Sequence, residues 1–317
     1  MFYPEPRTMF DLETLVTAVY VTIDEFVRTH LGPDPVTCGQ KPALCRSEVL
    51  TLALISHLPV FSSERSCLRW AAGPGHPLFP HLPHRAQVNR AIRRQQAVLV
   101  QYGRTIARQL GALSAEFEIL DSTAVPVRNY KRRGTGHLPD VVAIGHSQRL
   151  GWFAGVRLLA TVTPDGVLTG YALGEATAND RVLAEQFFAH RAEEIQVLPE
   201  VGRPSSGIYL ADTGFAGRAC RARWAAYADA HVYAPPQRDS HEVWPAALRQ
   251  HSHRIRQIIE TVFQRLHQSL RLDRERPHTL QGLHARVAAK IALHNWLIAW
   301  NRQCARPDLT VVGVIGW

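Results

Sequence analysis

Cysteine is sparse in this chain and lacks any pairing pattern. Cys38, Cys45, Cys67, Cys220 and Cys304 are odd in number, widely scattered and contain no C-x-x-C pair. That excludes a disulfide framework and a cysteine-based zinc finger, and it points to reduced thiols in a cytoplasmic protein. Long apolar runs are also missing, since no stretch approaches the roughly 20 residues a membrane span requires. No membrane partner is expected. The opening segment, "MFYPEPRTMFDLETL", has no basic region leading into an apolar core, which argues against a signal peptide. None of the 16 histidines stands in H-x-x-x-H spacing beside a carboxylate, so a zinc-hydrolase helix is excluded as well. No internal repeat or low-complexity run appears, and with them go the solenoid and linker classes.

What is present begins with charge. Acidic residues are outnumbered, 27 Asp and Glu against 36 Lys and Arg, for a net charge of +9 and a pI near 9.7. Arginine carries most of the excess, and its planar fork suits bidentate phosphate contacts. A balance of this size favours a polyanionic partner. At 317 residues and 46% hydrophobic content, the chain is long enough for two domains or one large one with a real core.

The chain reads in three parts: residues 1–113, 114–303 and 304–317. The first is helical. "LETLVTAVYVTIDEFV" and "SEVLTLALISHL" carry apolar residues at three- and four-residue spacing, with Ser47 placed to cap the second. "SSERSCLRWAA" follows after Pro59, a pair compatible with a helix-turn-helix. "HRAQVNRAIRRQQAVLVQYGRTIARQL" then holds Arg85, Arg90, Arg93, Arg94, Arg104 and Arg108 without one acid, a one-signed surface suited to phosphates. This region is expected to bind DNA, with Arg90, Arg93 and Arg94 as contact candidates.

After Ser114 the period changes. "FEILDSTAVPV", "GWFAGVRLLATVT" and "GVLTGYALG" predict three consecutive strands, the last two joined at "TPDG". "NDRVLAEQFFAHR" predicts a helix capped by Asn179 or Asp180. "SGIYLADTGFAG", "RACRARWAAYADA" and "HVYAPP" then predict strand, helix, strand. Two further helices close the order, the last over "HTLQGLHARVAAKIALHNWLIAWN". Three antiparallel strands followed by alternating helix and strand is the order of a ribonuclease-H-like mixed sheet of five strands flanked by helices.

Two acids end predicted strands: Asp121 closes "FEIL" and Asp212 closes "GIYLA". Such positions lie above the sheet, where mixed sheets collect their ligands, although a turn-capping aspartate is the more frequent explanation of either one alone. A third acid lies in "RQIIETVFQRL". At about 100° per residue, Ile255, Ile258, Ile259, Val262, Phe263, Leu266 and Leu270 form an apolar stripe, and His253, Arg256, Glu260 and His267 share a polar edge beside it. In the expected topology that edge brings Glu260 toward the two aspartates. Three carboxylates in one cleft repel one another unless cations sit among them, and oxygen-only donors suit Mg²⁺, with Mn²⁺ as the alternative. Two such ions would stabilise both the attacking and leaving oxygens of a phosphodiester displacement.

The motifs "KPALCRSEVLTLALI", "LDSTAVPV", "GVRLLATVTPDGVLTGYALGEATANDRVLAE", "LADTGFAG" and "RIRQIIETVFQRLHQSLRLDRERPHTLQGLHARVAAKIALHN" occur in an order that resembles the bacterial insertion-sequence transposases of the DDE class. The resemblance implies a ribonuclease-H-like catalytic domain with Asp121, Asp212 and Glu260 as the acidic triad and Glu260 within an R-x-x-x-E helix that starts at Arg256. It implies double-stranded DNA as the partner, both terminal inverted repeats and target, cleaved at the transposon end and then joined through the released 3′-hydroxyl. It also implies a homodimer on DNA in the bacterial cytoplasm, at the nucleoid. Related signatures place a Tyr three residues before the Arg and a Lys seven after the Glu; here His253 and His267 stand there. With Arg256, and with Lys131, Arg132 and Arg133 of "KRRG", they are the further DNA-contact candidates. The competing readings are a non-catalytic DNA-binding protein derived from a transposase and a metal-dependent DNA nuclease.

Overall fold

Glu118–Arg128, buried along most of its length and nowhere exposed, is β1, the strand on which the sheet is built. The computed structural model describes residues 11–32, 42–131, 138, 141–197, 207–237 and 240–310. Its described strands are β1, β2 (Ala143–Ser147), β3 (Gly151–Val162), β4 (Leu168–Glu175), β5 (Ile208–Ala211) and β6 (His231–Tyr233). β3 runs antiparallel to β1, while β5 and then β6 add on β1's other side in parallel. β2 and β4 share the outer edge of β3, one against Gly151–Gly155 and the other against Val156–Val162. With β2 set aside, the order is the expected ribonuclease-H-like one. β2 is the addition, giving six strands where the sequence predicts five. "AIGHS" carries neither an apolar run nor clean alternation, so nothing local announces it.

The helices among the described residues are α1 (Leu12–His30), α2 (Arg46–Ile55), α3 (Glu64–Ala72), α4 (Arg85–Arg94), α5 (Gln96–Gln109), α6 (Asp180–Val197), α7 (Arg218–Ala228), α8 (Ala246–Gln264) and α9 (Leu280–Gln303). They fall into two compact units, which do not follow the boundaries expected from sequence. One unit comprises residues 1–103, 269–271 and 281–317; the other comprises 104–268 and 272–280. The last helix, from Gln281 onward, belongs to the same unit as the N-terminal helices. Its residues from Gly282 to Ile298 are mostly buried. Asn295 donates to the Gly103 carbonyl, Trp296 Nε1 to Thr22 and Arg286 to Glu64. Those bonds tie α9 to α5, α1 and α3.

Two local expectations in this unit change. Ser47 does not cap α2: it is buried and bonds Asp24, while the cap is Cys45, whose N–H donates to Glu48 at 2.7 Å. The connection between α2 and α3 runs from Ser56 to Ser63, longer than the 3–4-residue turn of a helix-turn-helix. Among the described residues no helix is long and apolar enough to cross a membrane.

In the sheet unit, α6 and α7 bury one face. Leu120, Leu159, Leu183, Phe188, Tyr209, Phe215 and Trp224 form its core. Trp224 is fully buried, and its Nε1 donates to Glu185 at 2.8 Å, so the indole brings no unsatisfied donor inside. α8 packs against β1 and β5. Gly155 on β3 faces β1 so closely that a Cβ would stand 2.0 Å from the Val125 carbonyl oxygen. Gly155→Ala is expected to separate the two central strands and to destabilise the protein by at least about 1–3 kcal/mol, read as a lowered urea midpoint; an unchanged midpoint would show that β3 shifts freely.

Candidate active site

Pairing register creates the site. Leu120 lies opposite Ala211 in the parallel β1–β5 ladder, so the next residue of each strand, Asp121 and Asp212, comes out side by side. Adjacent strands lie about 4.8 Å apart, which sets the separation of the two acids. Because side chains alternate, Asp121 shares the face of Ile119, away from Leu120 and its core. On that face stands α8. A single guanidinium, that of Arg256, reaches both acids: Nη2 is 3.2 Å from Asp212 and 3.6 Å from Asp121. Backbone amides complete the hold. Ser122 N–H donates to Asp121 at 2.7 Å, and Gly214 N–H donates to Asp212 at 2.8 Å.

Burial pushes the Asp121 carboxyl up to about 6; Arg256 and the Ser122 amide oppose this, and the charges of Asp212 and Asp180 add to it. Asp121 is thus a carboxylate short of positive charge, with one shared arginine beside it. Asp121 does not close its strand, as the apolar run suggests, because β1 continues to Arg128; the hard oxygens of Asp121 and Asp212 on adjacent strands still fit a divalent cation. Glu260 lies one helical turn beyond Arg256 and is exposed. Among the described residues no three of His, Cys, Asp and Glu are assembled as a metal-holding group. The structure therefore brings the two aspartates together with Arg256, while Glu260 stands on the same helix without joining them.

The match to known families decides the class. Residues 114–296, more than half the chain, match the Transposase DDE domain family. The chain belongs to that family. None of the curated proteins matches it. Among solved structures, the chain is similar to the Mos1 transposase paired-end complex with left transposon end, at 11% identity and a TM-score of 0.24. That alignment covers 86% of this chain and 99% of the other. It is also similar to the Mos1 Strand Transfer Complex, at 12% identity and TM-score 0.24, covering 94% and 97%. Likenesses at that level add nothing to the family match.

The remaining candidates of this DDE-family chain separate cleanly. His253 is exposed on α8. His267 is not on the exposed edge where the sequence places it; it is 3% exposed, with both ring nitrogens engaged. Nδ1 meets Asp273 at 2.6 Å and Nε2 meets the Thr123 hydroxyl at 2.9 Å. Arg149, which the sequence reading missed, closes on Asp273 with both terminal nitrogens at 2.8 and 2.9 Å. Burial alone would raise the Asp273 carboxyl, but the hydrogen bonds from His267 and Arg149 outweigh it and hold it well below the usual range. His267 thereby ties the end of α8 to β1, two residues past Asp121, and is unavailable to DNA in this conformation. The cause is a π-helical turn, Arg265–Ser269, directly after α8. Its wider turn slips the phase of a 3.6-residue wheel and carries His267 inward.

The basic candidates divide in the same way. Arg90 and Arg94 are exposed on α4 and Arg93 is half-buried, and none of the three enters an ion pair among the described residues. Arg104 is withdrawn from the one-signed set by a two-pronged bond to Glu194 at 2.6 and 2.9 Å. Lys131 is exposed beside the Tyr130 ring. Arg132 and Arg133 lie outside the described residues, as does the apolar C-terminal tail from Val311. Asp180, read from sequence only as a helix cap, lies close to the pair and bonds Ser122 at 2.6 Å. A charged residue at a helix start carries no sequence signal that separates capping from a role at the site.

Proposed function

We propose that this chain is a DNA transposase that cleaves transposon ends and joins the freed 3′-hydroxyl to target DNA, with Asp121, Asp212 and Glu260 holding two Mg²⁺ ions. The reading rests on one observation above all: two carboxylates, one within β1 and one just past the end of β5, are set side by side by the β1–β5 register and share one guanidinium in a chain of the DDE-domain family. The divalent ions, when bound, supply Lewis-acid stabilisation of charge on the attacking and leaving oxygens. The rest is the work of the chain itself. Asp121 is held by the Ser122 amide and Asp212 by the Gly214 amide, so both present fixed oxygens to the crevice. Arg256 positions both acids, and the exposed Arg90 and Arg94 of α4, with the half-buried Arg93, contact DNA phosphates in a chain of net charge +9. His253 and Lys131, in the sheet unit, add exposed contacts of their own. Two transposon ends must be handled together, so the working form is a homodimer on DNA, acting at the bacterial nucleoid.

Purified protein incubated with Mg²⁺ and duplexes bearing its own terminal repeats is expected to nick the ends and transfer them into a target plasmid. Glu260→Gln is expected to lower that rate by at least about 100-fold while leaving duplex affinity near the parent value. Duplex binding without strand breakage at any metal concentration would leave only the non-catalytic binding protein. Cutting without joining would leave the nuclease.

A further inference from the structure

Asp180 stands at the first turn of α6, on the face of the sheet opposite Arg256. Period two puts Ser122 on that face while its neighbour Asp121 points to the other. Ser122 therefore belongs to both sides: its N–H donates to Asp121 at 2.7 Å and its hydroxyl donates to Asp180 at 2.6 Å. The second oxygen of Asp180 lies against Gly214, so closely that a Cβ there would stand 2.5 Å from it. Gly214 is the residue whose N–H holds Asp212. Arg157, 3.6 Å from Asp180 and bonded to the Ala178 carbonyl, fixes the carboxylate from behind. One side chain thus abuts the two backbone amides that orient the two acids.

We infer that Asp180 is a positioning residue for the Asp121–Asp212 pair, acting through the Ser122 hydroxyl and the close-packed Gly214 turn. The inference rests on the transposase reading for its functional consequence, but its structural content stands apart from that reading. Acceptance of the Ser122 hydroxyl is the essential property, and an amide oxygen still supplies it, as a weaker, uncharged acceptor. A residue that merely capped α6 would leave the two amides untouched.

The test uses the full-length protein and variants Asp180→Ala, Asp180→Asn, Ser122→Ala and Gly214→Ala, with two readouts. The first is amide hydrogen exchange. Asp180→Ala is expected to speed exchange at Ser122 and Gly214 relative to amides of β3 and α7, and Asp180→Asn to leave it near the parent rate. The second is cleavage of end DNA at saturating duplex. Asp180→Ala is expected to lower the rate about 30-fold with unchanged DNA affinity, the size of one charge-assisted hydrogen bond. Asp180→Asn restores it to within about threefold, and Ser122→Ala adds nothing on top of Asp180→Ala, as two groups on one path require. Gly214→Ala, which displaces the Asp180 carboxylate without removing it, reproduces the rate loss. Unchanged exchange at both amides in Asp180→Ala, or unchanged cleavage beside an active parent, overturns the inference. If the parent itself does not cleave, the transposase reading fails, and the exchange data alone decide the role of Asp180.

Discussion

Asp121→Asn is expected to abolish strand cleavage and, in the same protein, to raise stability. The first half follows from the loss of a charged oxygen where Asp121 and Asp212 converge, a loss of at least about 10³-fold in rate. The second half follows from burial. Burial raises the Asp121 carboxyl to about 6, well above its ordinary value near 3.8. A group whose folded pKa lies above its unfolded one favours the fold at low pH, and that contribution is lost as pH rises through the interval between the two. Above pH 6 the charged acid is a net cost, at most about 3 kcal/mol. Asparagine keeps the shape and removes that cost, so the variant should gain roughly 1–3 kcal/mol at pH 7.5. Urea titrations without added metal, at pH 7.5 and near pH 4, check it: the gap is expected at the higher pH and should narrow toward the lower. A gap of constant size would mean that burial of Asp121 has been misjudged.

The largest loss of stability is expected from Arg191→Met. Arg191 on α6 forks onto Glu118 at 2.7 and 3.2 Å, and that glutamate, at the head of β1, has no exposure at all. The guanidinium also lies over the Phe187 and Tyr209 rings, at 5.5 and 5.8 Å. Removing it strands a carboxylate in the core beside the β1–β5 ladder, a cost of about 3–5 kcal/mol. Glu118→Gln with Arg191→Met removes both charges together, and about half or more of the loss should return. Because Glu118 stands three residues before Asp121 on the same strand, the single variant is also expected to lose end cleavage at temperatures where the double variant retains it. Equal melting of the two would show that the pair is solvated in solution.

Much of this architecture is legible in the sequence, and the exceptions share physical causes. The strands around Asp121 and Asp212 announce themselves because each apolar run stops at an acid. The helix carrying Arg256 and Glu260 announces itself by its stripe: Ile259, Val262, Phe263, Leu266 and Leu270 are buried, and Ile255 and Ile258 half-buried. β2 stays silent because edge strands of small and polar residues have no period to read. His267 misleads because one π turn is invisible to a wheel drawn at constant pitch. Arg104 misleads because its partner, Glu194, is 90 residues away in sequence. Asp180 is hidden because its use depends on what the chain brings to it from β1 and from the Gly214 turn. Local periodicity thus reveals the framework, and the side chains it misplaces are those whose partners are distant.

The ladder that aligns β1 with β5 spans only Glu118–Leu120 and Tyr209–Ala211. Parity therefore governs the crevice. One residue inserted between Glu118 and Asp121 would hand the outward-facing place to Leu120 and turn the acid inward toward α6, whereas two inserted residues would preserve its side at the cost of a longer lever. Loops elsewhere can change length without this consequence, but an insertion in either triplet keeps its acid on the same side only if it adds an even number of residues.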